Sequence, residues 1–196
     1  MRLQPIPPSD LTPEQHELFE RIEGIISGED RGFVTARADG ARLGPYNAML
    51  HFPQFGAALW GIITALTKHA ILPEMIREVV MLVTGAHFSA RYELYAQEQS
   101  AAKAGLSQSK IASLASGTRP SDLTSEESAA FDVAKALIGG GQLAESAYEQ
   151  ALSAFGRQGT AELIYLIGTY CLVSVLLNGY DIPVPGRDTG NRRPAK

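Results

Sequence analysis

The sequence predicts an all-α protein, a single-domain helical bundle of about seven helices. Three observations carry this. Apolar residues recur three and four positions apart over most of the chain. Prolines, serines and threonines open these runs and glycines close them. No segment sustains the period-2 alternation of a strand. The expected layout is an extended N-terminal segment over 1–12, a helical domain over 13–182 and a disordered polar tail over 183–196.

The elements follow in chain order. Thr12-Pro13-Glu14 has the form of an N-cap, a proline at the first helical position and an acid in the first turn. Leu18, Ile22, Ile25 and Ile26 then share one face, and Gly28 stops the run. Residues 28–45 are rich in Gly, Arg and Asp and read as a loop closed by Gly44-Pro45. Pro53 opens a helix to His69, and Pro73 opens one crowded with Met75, Ile76, Val79, Val80, Leu82 and Val83. A further helix runs from Ala90 to Ala104 and ends at Gly105, and a short one covers Ser107 to Ala115. Thr124 caps a helix to Ile138 that the glycines at 139–141 terminate. Glu145 to Phe155 forms a short helix, and Thr160 caps the last long one, which reaches Asn178.

Composition excludes several functions. The chain has 196 residues, 45% hydrophobic and 19% charged, with a net charge of -4. A chain of this length buries roughly 70% of its unfolded surface and needs no metal or disulfide staple. It has no long basic block, so no nucleic-acid partner is expected. Cys171 is the single cysteine, which leaves no disulfide framework and no dithiol chemistry. Histidines at helical pair spacing, a P-loop and a dinucleotide fingerprint are all lacking, so neither metal nor cofactor is expected. Met1 to Asp10 contains three prolines and no apolar core, so no signal peptide is read there and the cytoplasm is the default. Leu163 to Tyr180 lacks any formal charge, long enough for a membrane span. Its Gly168, Thr169, Ser174 and Asn178, and the acids Glu162 and Asp181 that bound it, favour a core or oligomer helix instead.

Glu78 is the most informative position, because its neighbours Ile76, Val79, Val80 and Leu82 call for the core. One reading is a salt bridge to Arg77 or to another helix. The other is a carboxyl kept protonated by burial and able to move a proton in a pocket. Glu93 and Gln97 stand four apart on the next helix and share a face, with Tyr92 and Tyr95 beside them. That pattern suits either a solvated polar face or a partly enclosed cleft.

The combination Leu72-Pro73, Arg77-Glu78, Tyr92-Glu93-Leu94-Tyr95-Ala96-Gln97 and Ala104-Gly105-Leu106-Ser107 resembles the signature of the carboxymuconolactone decarboxylase-like family, within the alkylhydroperoxidase D-like superfamily. The stretches from Gly44 to His51 and from Leu177 to Pro183 resemble a larger subgroup. The resemblance spans about residues 44 to 185. It implies an alkylhydroperoxidase D-like helical fold, a homo-oligomer (trimer or hexamer) with the site near subunit contacts, and a proton-relay acid at Glu78. In the peroxidase branch two cysteines and a histidine follow that acid. Ala90, Glu93 and Gln97 fill those places here, so peroxidase activity of that type is excluded. The decarboxylase branch keeps an acid at the place of Glu93 and usually a histidine at that of Gln97. A glutamine hydrogen-bonds but does not carry protons.

The resulting expectation is a cofactor-free decarboxylase-like lyase acting on a small acidic lactone or related carbonyl compound. The alternative is a catalytically eroded oligomeric binding or scaffold member. In the first reading Glu78, Glu93 and Gln97 are catalytic, while Tyr92 and Tyr95 bond the developing oxyanion. Arg77 or Arg91 holds the substrate carboxylate. Tyr46, Asn47 and His51 enter as residues of the family-like stretch that leads into the following helix, where a loop can reach a cleft. His87 lies about 180° from Glu78 around an unbroken helix and faces it only if the helix breaks near Gly85.

Overall fold

A computed structural model describes residues 1–27 and 31–186. The expected stop at Gly28 and the tail from residue 187 onward lie outside them. A 3-10 turn, Pro8–Asp10, precedes eight α-helices: α1 (Pro13–Ile26), α2 (Pro45–His51), α3 (Pro53–Lys68), α4 (Glu74–His87), α5 (Arg91–Ala104), α6 (Gln108–Ala115), α7 (Ser125–Ile138) and α8 (Glu145–Gly179). Among the described residues no strand forms. An isolated bridge pairs Ala36 with Arg42.

The termini obey local chemistry. Thr12 and Gln15 form a reciprocal capping box on α1, as do Thr124 and Glu127 on α7. Ser107 accepts from the Lys110 amide at the start of α6. Gly105, at φ 99°, closes α5 with the Leu106 amide donating to the Ala101 carbonyl at 3.0 Å. Two elements differ from expectation. Helix α2 occupies part of the stretch read as loop and cleft edge; it is seven residues long with Tyr46 to Leu50 all buried, too short and too uniform for a periodicity to show. The break before the last long helix falls at Gly156, whose φ of 65° and ψ of -179° suit glycine alone. Thr160 lies within the second arm of α8, and its hydroxyl donates to the Gly156 carbonyl at 2.8 Å instead of capping.

Helix α4 is the axis of the molecule. Its buried face packs on α5, α6, α7 and the second arm of α8, forming one apolar cluster around Val79, Val80, Leu82, Leu114, Leu163 and Leu166. A second cluster joins α1, α2 and α3 around Ile22, Leu50, Leu59 and Trp60 to Tyr92, Val173 and Leu177. The N-terminal segment straps across α2: the Leu3 carbonyl accepts from Asn47 Nδ2, and the Arg2 amide donates to the Tyr180 carbonyl. Helix α8 is long and apolar enough to cross a membrane, but half of its most apolar stretch is buried inside the fold.

Candidate functional site

A cavity of about 570 Å³ lies between the two apolar clusters. Helix α4 supplies Glu78, Arg77 and Met81; α5 supplies Tyr92, Glu93, Ala96 and Gln97; α8 supplies Tyr170 and Val173. Tyr46, Trp60 and Phe33 complete an aromatic wall.

The two carboxyls define its chemistry. Glu78 is 5% exposed and Glu93 3%. Burial pushes Glu78 up to about 8, helped by Glu74 and Glu93 and opposed by Arg77. Burial likewise pushes Glu93 up to about 8, opposed by its hydrogen bond from Gln97. Both are therefore protonated at neutral pH. Gln97 Nε2 donates to Glu93 Oε1 at 3.1 Å and fixes that side chain. Glu78 Oε2 is buried with no hydrogen-bond partner among the described residues, a setting that disfavours the charged form.

Arg77 does not clamp Glu78. Its Nε lies 3.5 Å from Glu162 Oε1, and Glu162 Oε2 in turn accepts from the Ile71 and Leu72 amides at 2.8 and 3.0 Å. Arg77 is thereby held at the cavity edge by α8. Close helix packing positions Glu93: a Cβ on Gly85 would lie 3.1 Å from Glu93 Cγ, so glycine lets α5 approach α4. Gly44, at φ 64°, does the same for Tyr92, because a Cβ there would fall 2.3 Å from the ring.

Of the residues singled out from sequence, Glu78, Glu93, Gln97, Tyr92, Arg77 and Tyr46 meet in the cavity. Five do not line it. Tyr95 stands behind Tyr92 and accepts from the Val34 amide at 3.1 Å, while the Tyr92 hydroxyl donates to the Val34 carbonyl at 3.0 Å. The pair clasps the peptide of the 31–44 loop, which brings Phe33 and Arg31 to the cavity. Asn47 faces the N-terminal strap through Leu3, and His51 Nε2 lies 2.8 Å from the Gln4 carbonyl oxygen. These two serve the strap because the stretch bearing them is a helix and not a loop edge. Helix α4 continues unbroken through Gly85, so His87 is exposed, edge-on to Phe88. Arg91 points outward to Asp181 at 3.0 Å.

Sequence reasoning missed Tyr170, Trp60, Arg31 and Lys103, all of which line the cavity. Tyr170 and Trp60 sit in apolar helical runs, where an aromatic reads as core. Among the described residues no cluster of His, Cys, Asp and Glu fits a metal ion. Cys171 is half-buried outside the cavity lining, and burial raises its thiol.

No family model and no curated protein matches the chain. Solved structures do. A cysteine-to-alanine variant of the debrominase Bmp8 in complex with 2,3,4-tribromopyrrole superposes with a TM-score of 0.69 over 95% of this chain and 92% of that one, at 14% identity. Apo Bmp8 gives a TM-score of 0.69 at 13% identity, covering 94% of this chain and 92% of that one. At such identity the likeness establishes the fold alone, an all-helical one shared with Bmp8.

Proposed function

We propose that the chain is a cofactor-free lyase of the carboxymuconolactone decarboxylase-like kind, releasing CO2 from a small acidic lactone or related carbonyl compound. The observation that carries this is the pair of buried carboxyls, Glu78 and Glu93, on an aromatic-walled cavity of about 570 Å³. That size suits a small organic ligand. With both acids neutral, Arg77 supplies a cationic group on the lining that suits an anionic substrate.

Loss of the substrate carboxylate as CO2 leaves its bonding electron pair on the adjacent carbon, shared with the carbonyl oxygen as an enolate. Glu78 gives its proton to that carbon, and water restores the proton to Glu78. Gln97 holds Glu93 as a second neutral donor toward the enolate oxygen. Arg77, tethered by Glu162, is the cation placed to hold a carboxylate. Cys171 lies outside the lining, so the reading uses no thiol.

The test is turnover of small carboxylated lactones in D2O. CO2 release with one deuterium in each product molecule is the expected result. Release of no CO2 from five- or six-membered lactones, with no exchange at the adjacent carbon, would end the lyase reading. Activity that arises only after Gln97→His would mark an eroded binding member instead.

The same reading makes the protein a cytoplasmic homo-oligomer, a trimer or hexamer, with neither membrane nor nucleic acid as partner. Helix α8 supports it, since Leu172 and Val175 on its outer side are 45% and 52% exposed. The double change Leu172→Glu, Val175→Glu is expected to reduce the assembly to monomers in light scattering. An unchanged mass would remove this face from the interface.

A further inference from the structure

Of the tyrosines at and behind the cavity, Tyr92 and Tyr95 have hydroxyls engaged by the fold. Tyr92 donates to the Val34 carbonyl and Tyr95 accepts from the Val34 amide. Tyr170 differs. Its ring packs on the cluster centred on α4 and lines the cavity. Its charged and titratable neighbours are Glu93, Glu78, Tyr46 and Arg77, drawn from α5, α4 and α2. Among the described residues it makes no hydrogen bond to the fold, and its hydroxyl does not belong to the fully buried unpartnered atoms. The side chain is only partly buried, so its hydroxyl is reachable from the cavity the residue lines. A donor left unused by the fold, on the wall where two carboxyls converge, is available to whatever fills the cavity.

We infer that Tyr170 donates a hydrogen bond to an anionic oxygen on a flat, ring-shaped ligand, which under the lyase reading on which this inference rests is the enolate oxygen. The surroundings suit that oxygen. Burial, with the nearby Glu93 and Glu78, holds the phenol above its ordinary range, so it stays protonated and keeps its donor. Val173 and Trp60 line the same cavity with apolar surface. A fixed donor in such a site stabilises developing negative charge more than water does. Glu78 then protonates carbon while Tyr170 holds oxygen, and no proton leaves the tyrosine.

The test uses 4-nitrophenol, a flat ring whose oxygen ionises near neutral pH and whose absorption reports the environment of the anion. The unsubstituted protein is expected to bind 4-nitrophenolate at neutral pH and to shift its absorption band. Tyr170→Phe, which removes the hydroxyl alone, is expected to weaken binding about tenfold or more, the equivalent of one hydrogen bond to a charged oxygen. Its melting temperature is expected to be unchanged, because no bond within the fold is lost. Equal affinity in the two proteins, or no binding to the unsubstituted one, overturns the inference. The lactone experiment fails independently. Should the probe depend on Tyr170 while no lactone is turned over, the donor stands and the lyase reading falls. Should a lactone be turned over while the probe ignores Tyr170→Phe, the lyase reading stands and this inference falls.

Discussion

Replacing Glu78 by glutamine is expected to slow CO2 release by about 10²–10⁴-fold, the loss typical of a positioned acid–base group. The amide matches the carboxyl in size and stays neutral, so the cavity shape and the burial of the side chain are preserved. What disappears is the transferable proton. Glu93→Gln is the informative comparison. Glu93 has one oxygen engaged by Gln97, whereas Glu78 Oε2 is unpartnered among the described residues. The larger loss of kcat should therefore fall on Glu78, with Glu93→Gln acting more weakly through oxyanion stabilisation. Equal kcat for Glu78→Gln and the unsubstituted protein on a turned-over lactone would remove Glu78 from the proton-transfer step.

The fold was largely legible in the sequence because its helices are announced by local chemistry. Thr12, Ser107 and Thr124 cap the helices the sequence assigned to them, and Gly105 closes the one before it. These signals act over three or four residues and need no knowledge of the partner helix. Helix α2 failed that test for a physical reason. Its five consecutive buried residues are covered on several sides by α1, α3, α8 and the N-terminal strap, so no polar face remained to set a period.

The site was legible where one residue type contradicted its surroundings. Glu78 amid Ile76, Val79 and Val80 is such a contradiction, and the structure places it as a buried carboxyl on a cavity, where burial raises its pKa. Arg77, its neighbour in sequence, turns instead to Glu162 on α8, a contact that no local pattern announces. The misplaced candidates failed in the opposite way. His51, Asn47 and Arg91 are polar residues near family-like motifs, but their partners are Gln4, Leu3 and Asp181, far away in the chain. Tyr170 escaped notice because an aromatic within an uncharged helix gives no sign of which way its hydroxyl faces.

The folded protein should lose stability as pH rises through neutrality. Glu78 and Glu93 have an ordinary carboxyl value of 4.5 and are pushed up to about 8 in the fold. Between those values the folded state binds more protons than the unfolded state, so the slope of unfolding free energy against pH is negative. The stabilisation is fully present below about pH 4.5 and is lost progressively as pH climbs through about 8, where the buried carboxyls must ionise. Each pKa unit corresponds to about 1.4 kcal/mol, so the pair is worth several kcal/mol, set against roughly 5–15 kcal/mol for a whole domain. Thermal melts of Glu78→Gln and Glu93→Gln should show a flatter fall toward alkaline pH, and the double variant the flattest. Because the amides cannot ionise, the variants should be more stable than the unsubstituted protein above about pH 8. Above that pH the rate loss in Glu78→Gln is not expected to come from unfolding. A melting temperature that falls equally steeply in all four proteins would show that these carboxyls ionise in the fold as they do in water.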